Sequence, residues 1–463
     1  MNKRTRLVIL IICVVLFSVI TPYIVLYSLG YRIDFVNGKI IETGGIYVRV
    51  FPQGADITID SKIKNKTGLF LNSIFVQNLL PKQHAVLIEK EGYHSYQKNL
   101  LVKEKEVTKL ENVVLFKNKT LFDLLENNVD YFSIAPNNAN LIKSNITNKS
   151  IDFKTINLNN SQKNNITLPI KNGAILDSKW SDNSNSYLIK TNDGYFLLDF
   201  RAPKLQFTKL PILADIGEVY FDPENSNQLF FIKNKNLYST LQNKELIKNV
   251  ASFLIKDQKV IWLSSDGFLY IDNLPIQATS TTLKQTEIEG ETNKTTEQIF
   301  SIKKNSQYKL VAILDMIFLQ EDESLYLLDQ NLKKFESFYG SVKDLKISPD
   351  WKKVVFYNDH EIMYSLTSSI NQKILLSKPA NVIHELYWLN NDYLIFKSVD
   401  EIIISEIDAR GNVNTITLPK ISLLTEELKN SEFKPEQIFW NEQDKKLYIL
   451  AENNLLVSEN LLP

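Results

Sequence analysis

Apolar positions follow three patterns in succession along the chain. Residues 7–29, "LVILIICVVLFSVITPYIVLYSL", form an uncharged run, long enough as a helix to cross the roughly 30 Å hydrocarbon core of a bilayer. From Gly45 the pattern becomes alternation: Ile46, Val48 and Val50 share one face, the turn Pro52-Gln53-Gly54-Ala55 follows, and Ile57 and Ile59 share a face of the next strand. Period two broken by a Pro-x-Gly turn predicts a hairpin. "LLPKQHAVLIEKEGY" adds a turn at Pro81, a strand carrying Val86 and Ile88, and Gly92, which suits a positive φ. "KNLLVKEKEVTKLENVVLF" supplies two more strands around a charged turn, so residues 45–116 are predicted to form a compact all-β sandwich.

In the third pattern one unit recurs: an apolar strand, a polar turn rich in Pro, Asp and Asn, and a second apolar strand. The turns fall near Pro136, Asp182, Pro223, Asp257, Lys304, Pro349, Asn390 and Asn441, a spacing of roughly 44 residues that fits four-stranded propeller blades. Residues 117–463 are therefore predicted to be a β-propeller of eight blades, with seven as the alternative because the fourth and fifth repeats are weak. The last unit, "KKLYILAENNLLVSE", is one strand short, and the segment "VVLFKNKTLFDLL" is expected to donate it. Two insertions break the period. Residues 275–298 are Thr-rich and charged and are predicted to be a long exposed loop; residues 418–437 place Ile421, Leu424 and Leu428 on one helical face and predict a short helix on the propeller.

Charge adds an orientation. Lys3, Arg4 and Arg6 precede the apolar run, while Arg32 and Lys39 after it are interspersed with Asp34 and Glu42. The positive-inside rule then places residues 1–6 in the cytoplasm, 7–29 across the membrane and the body beyond Gly30 outside. The run ends in "YSLGYR", without a small-x-small cleavage site, which favours an uncleaved single-pass cell-membrane anchor over a signal peptide. Lys+Arg and Asp+Glu stand at 53 each, so no global field draws nucleic acid to the chain. The only cysteine, Cys13, lies inside the apolar run, which leaves no internal disulfide and no cysteine metal site.

Some residues carry resemblances. Gly45, Pro52-Gln53-Gly54-Ala55, Asp60, Leu79-Leu80-Pro81 and Gly92-Tyr93 make residues 45–116 resemble a PEGA domain. Gln53 stands where that family has Glu, Ser61 where it usually has Gly, and Lys82 where Gly is common. The resemblance implies a small extracytoplasmic β-domain of bacterial surface proteins and brings no catalytic residues. "KISPDWKKVVFYNDHEIMYSL" and "KWSDNSNSYLIKTNDGYFLLD" resemble units of TolB-like and WD-repeat-like propellers, marked by a Ser-Pro-Asp-Gly turn. Ser348-Pro349-Asp350 matches it, with Trp351 in place of Gly.

Candidate chemistry is sparse. His84, His94, His360 and His384 show no metal-ligand spacing, and there is no Gly-x-Ser-x-Gly elbow or Gly-rich phosphate loop. Glu321-Asp322-Glu323 reads as solvated turn charge, and Asp193-Gly194 and Asp266-Gly267 as hairpin turns. Trp180, Trp262, Trp351, Trp388 and Trp440 all fall in the repeats, where filling space between blades outweighs stacking on sugars. No catalytic, cofactor-binding or metal-ligating residue is assigned. The sequence as a whole reads as a non-enzymatic, membrane-anchored extracytoplasmic binding or scaffold protein. Its expected partners are the bilayer through residues 7–29 and an envelope protein or cell-wall glycan through the propeller. The alternative is a glycan-active or peptidase-like propeller enzyme with catalytic residues on loops.

Overall fold

The apolar run forms one helix, α1, Lys3–Ser28, with Pro22 inside it. The most apolar 18 residues within Thr5–Ser28 have a mean hydropathy of 2.9 and none of them is buried against the rest of the chain. A helix apolar on every side with none of its residues buried is long and apolar enough to cross a membrane. In this computed structural model the described residues are 3–34, 38–68, 71–171, 173–213, 216–241, 245–274, 297–418, 422–423 and 434–462. After the helix the chain turns at Gly30, φ +89°, into a two-stranded hairpin, Tyr31–Asp34 with Lys39–Glu42, which the sequence reading did not anticipate.

The alternating segment folds as the predicted sandwich. One sheet holds Ser73–Leu79, Gly44–Phe51 and Val107–Val114 in that order, and the other Ile63–Lys66, Asp56–Ile59, Gln83–Glu89 and Tyr96–Leu101. The inward positions Ile46, Val48, Val50, Ile57, Ile59, Val86 and Ile88 are all fully buried in one shared core. Ser61, which stands where a glycine is usual, adopts φ +57°, so the turn keeps the left-handed geometry despite the side chain.

Eight sheets follow in sequence as antiparallel meanders. Each buries both faces, because it is packed between two neighbours. This explains continuous apolar runs such as Tyr393–Ser398, buried at every position, where alternation would mark a half-exposed strand. Apolar cores join sheet one to two, two to three and onward to seven to eight. A final core, with Phe132, Ile134 and Leu141 against Tyr448, Leu450 and Leu455, joins eight back to one. The result is a closed propeller of eight blades. Blade four has three strands among the described residues, Val250–Lys256, Lys259–Ser264 and Leu269–Asn273. Residues 275–296, most of the first insertion, lie outside the described residues.

Blade eight is closed by two ends of the chain. Gln437–Asn441, Lys446–Ala451 and Asn454–Ser458 come from the end of the sequence, and Leu121–Glu126, just after the sandwich, pairs antiparallel with Asn454–Ser458. The segment expected to donate the closing strand does so with its second half, since its first half is the sandwich strand ending at Val114. Ser422–Leu423 adds a short parallel fifth strand beside Leu121 and Phe122. A helix was predicted for this insertion; these two residues are extended because the closing strand offers them an open edge. Ile421, Leu424 and Leu428 lie outside the described residues.

An ionic cluster spans the seam. Glu126 on the closing strand meets Lys143, Lys154 and Lys163 of blade one at 2.9, 2.8 and 3.0 Å. Burial alone would raise its pKa, but hydrogen bonds and charge from the three lysines prevail and bring it down to about 2. A carboxylate whose folded pKa is depressed contributes stability that is fully present above its unfolded pKa, about 4.3. That contribution is lost as the pH falls from there towards 2. The urea midpoint of the wild type is therefore expected to fall more steeply between pH 5 and pH 2.5 than that of Glu126→Gln. Equal slopes would remove the seam cluster from the account.

Candidate functional site

In blades one, two and six the turn between the first two strands shares one geometry. In Ala135-Pro136-Asn137-Asn138, Ser181-Asp182-Asn183-Ser184 and Ser348-Pro349-Asp350-Trp351 the N–H of the fourth residue donates to the carbonyl of the first, at 2.8, 2.8 and 2.9 Å. The fourth residue is left-handed each time, with φ +55°, +60° and +61°. This is where the Ser-Pro-Asp-Gly pattern has glycine, which explains how degenerate sequences build one turn. At Ser348 the side chain completes it, accepting from the Lys353 N–H at 2.9 Å and donating to Asp350 at 2.6 Å.

Asparagine tolerates this conformation more readily than most residues, and a tryptophan does not; left-handed backbone costs such a residue roughly 1–2 kcal/mol. Trp351 obtains no core packing in return, since it is 57% exposed. The other four tryptophans behave as the space-filling reading requires: Trp262, Trp388 and Trp440 are buried, and Trp180 packs on Tyr187 and Phe200. Trp351 departs from that reading because the turn projects it into solvent.

Beside it lies a groove of about 480 Å³ formed by the corresponding turns of blades four, five and six. Ile255, Leu314, Ile347 and Trp351 supply its walls, with Lys256 and Asp315 at the margin. Leu314 repeats the anomaly of Trp351: it is left-handed, φ +51°, and 39% exposed. Lys256 donates to the Leu314 carbonyl and holds the turns of blades four and five together.

The same end of the propeller carries the sandwich, clamped to blade seven. The outer strand Tyr96–Leu101 is a sheet edge, and an edge leaves backbone groups that need partners. Loop residues 407–414 provide them: Asn412 donates to the Gln97 carbonyl at 2.7 Å and accepts from the Asn99 N–H at 3.2 Å, and Asn414 accepts from the Gln97 N–H at 3.2 Å. Gly411 makes the close approach possible, because a Cβ there would stand 2.2 Å from the Asn99 carbonyl oxygen. Beneath this layer Lys98, fully buried, reaches Glu406 at 2.5 Å and donates to the carbonyls of Asp408 and Asn412 at 2.8 and 3.0 Å. Glu406 also accepts from the Tyr96 hydroxyl at 2.7 Å and from Asn414 at 2.8 Å. Burial opposes the charge of neighbouring Asp408, but the Arg410 fork and Lys98 hold its pKa below the usual carboxylate range.

This clamp was missed at the sequence level, although a signal for it exists. Tyr96, Lys98 and Leu100 share the inward face of one strand, so alternation places a lysine where an apolar residue is due.

At the ring's centre the innermost strands are edges too, and side chains of adjacent blades satisfy them. Glu385 accepts from the Ile438 N–H at 2.7 Å, Tyr387 donates to the Ile438 carbonyl, and Gln437 donates to the Phe132 carbonyl at 3.1 Å. Burial raises the pKa of Glu385 and lowers that of Lys346 nearby.

The remaining sequence candidates are dispersed. His84 sits in the sandwich between Asp60 and the Leu80 carbonyl, at 2.7 and 2.8 Å; His94 is also in the sandwich region, His360 on a turn of blade six and His384 at the start of blade seven. Asp193 and Asp266 serve turns, accepting from the Lys171 N–H and the Asn249 amide. Glu321 is not solvated turn charge: it is 3% exposed, paired with Lys303 at 2.8 Å and bonded by Tyr308 at 2.7 Å. Among the described residues no three His, Cys, Asp or Glu side chains are grouped to hold a metal ion.

Residues 43–115 match the PEGA domain family. The protein thus joins a PEGA domain to an eight-bladed β-propeller behind an apolar N-terminal helix. No curated protein matches the chain. Solved structures similar to it include the RRP9 WD40 repeats, at 9% identity and TM-score 0.40 over 73% of this chain and 97% of that one. Kluyveromyces lactis Hsv2 is similar at 11% identity and TM-score 0.38, over 64% of this chain and 98% of that one. The count of eight blades rests on the sheet order and the closed sequence of cores.

Proposed function

We propose that the chain is a single-pass, membrane-anchored scaffold that holds a propeller outside the cytoplasm and presents the Trp351 groove to a protein partner. The observation that carries this reading is Trp351 itself. A bulky side chain kept in a costly backbone conformation, with no packing to offset it, points to a function beyond folding. The groove favours a protein over cell-wall glycan, because its walls at Ile255, Leu314 and Ile347 are aliphatic, whereas sugar sites set an aromatic ring among polar groups. The clamp supports presentation, since it ties the propeller to the domain nearest the anchor. Glycoside hydrolysis calls for a pair of converging carboxylates, and the buried Glu385 and Glu321 are each engaged inside the fold.

The test uses the full-length chain in native membranes, cross-linked and analysed by mass spectrometry. Trp351→Gly is expected to raise stability by about 1 kcal/mol, because glycine suits the left-handed turn, and to abolish a protein cross-link mapping to blades four to six. Leu314→Asp should weaken the same cross-link. Capture unchanged by both substitutions would remove the groove from the proposal, and capture of glycan alone would favour the glycan-active alternative.

A further inference from the structure

The hairpin between helix and sandwich has no core of its own. Its strands pair Tyr31 with Glu42, Arg32 with Ile41, Ile33 with Ile40 and Asp34 with Lys39. Ile33 and Ile40 are directly opposite and remain 44% and 59% exposed. An isolated two-stranded hairpin is marginal in water, and this one places an apolar pair outward. Its base is closed where it leaves the helix. Thr43, at its far end, bonds the Gly30 carbonyl with both its N–H and its hydroxyl, at 3.0 and 2.6 Å.

The helix fixes what lies beside it. Counted from Leu7, about 20 residues at 1.5 Å each fill a 30 Å hydrocarbon core, which places Leu26 near its outer limit and the hairpin at headgroup level. Tyr23 and Tyr27 stand one turn apart, with ring centroids 6.1 Å apart, and tyrosines concentrate at that depth in membranes. A small groove of about 160 Å³ runs between helix and hairpin, lined by Tyr23, Leu26, Ile33 and Ile40 with Arg32 alongside. Arg32 is held at its edge: its guanidinium lies 3.5 Å over the Tyr27 ring and donates to the carbonyls of Tyr27 and Tyr31 at 2.8 and 2.7 Å.

We infer that the hairpin is an interfacial insert: Ile33 and Ile40 enter the headgroup–acyl boundary of the bilayer that the helix spans, and Arg32 sits level with the lipid phosphates. The inference rests on the spanning reading of α1. It gives the anchor a second attachment, so the helix leaves the membrane at a set angle and the sandwich begins at a fixed height.

The full-length chain carrying Cys13→Ser and Ile40→Cys, labelled with an environment-sensitive fluorophore, would be reconstituted in phosphatidylcholine–phosphatidylglycerol vesicles. Expected is several-fold stronger quenching by lipids with a nitroxide near the headgroup than by aqueous iodide, and the same at Ile33→Cys. A label at Lys64→Cys, on the exposed strand Ile63–Lys66, should show the reverse. The native Cys13, labelled in the otherwise unchanged chain, reports the span separately through deep-chain nitroxides. If the label at 40 responds to iodide while Cys13 is quenched from within the bilayer, the hairpin inference falls and the span stands. If both respond to iodide, the spanning reading falls with it. A label at 40 shielded from both quenchers and cross-linking to a second copy would make the isoleucine pair a seam between chains and overturn the insert.

Discussion

Replacing Lys98 with Met is expected to cost about 3–5 kcal/mol and to free the sandwich from the propeller. The cost comes from what stays behind. Glu406 would remain buried at 3% exposure without its cation, and breaking a buried pair by removing one member is far more damaging than the pair's net contribution suggests. The carbonyls of Asp408 and Asn412 would also lose their donor. Lys117→Met provides the contrast: it breaks a pair with Glu459, but Lys117 is 48% exposed and such surface pairs contribute at most about 1 kcal/mol. The double variant Lys98→Met with Glu406→Gln removes the stranded charge yet keeps an acceptor for Tyr96, and should recover part of the loss. Urea unfolding followed with limited proteolysis between residues 115 and 121 reads both effects. A loss below 1 kcal/mol at Lys98, or a double variant no better than the single one, would mean that the backbone bridge of Asn412 and Asn414 holds the domains without the ion pair.

How much of this was legible from the sequence depends on the range of the interactions involved. The sandwich strands and the blade count could be read because alternation and turn chemistry are local: Ile46, Val48 and Val50 declare a face within five residues. The closing strand was legible for a different reason, since a ring one strand short must obtain it elsewhere. Trp351 was visible as a departure from Ser-Pro-Asp-Gly, but not its meaning, because periodicity does not say that a turn aims its fourth residue into solvent. Glu321 was misread for the same reason: its partners Lys303, Tyr308 and Tyr326 come from the segment before the blade's first strand and from the strands on either side, and a run of three acids in a turn resembles surface charge. The clamp lies furthest from local reading. Lys98 and Glu406 are 308 residues apart, and only the misplaced lysine hints at them.

The second large effect is expected at the seam, where Phe122→Ala should lower stability by about 3–5 kcal/mol. Phe122 is 1% exposed and opposes Ser458 on the strand that completes blade eight. It packs in the core shared by blades seven and eight together with Val114 and Phe116 from the end of the sandwich. Truncating a buried phenylalanine removes its transfer free energy and leaves a cavity, and at this position the cavity weakens the one strand that joins the two ends of the ring. Leu124→Ala on the same strand, 38% exposed, should cost under about 1 kcal/mol, so that the comparison isolates burial from strand propensity. Because each blade's two faces are covered only by its neighbours, a cavity in this core loosens the facing sides of blades seven and eight. Hydrogen exchange in Phe122→Ala should therefore rise first in Tyr393–Ser398 and Lys446–Ala451, and only later in blades three to five. Uniform acceleration around the ring would show instead that the propeller unfolds as one unit and that its seam is no weaker than any other blade contact.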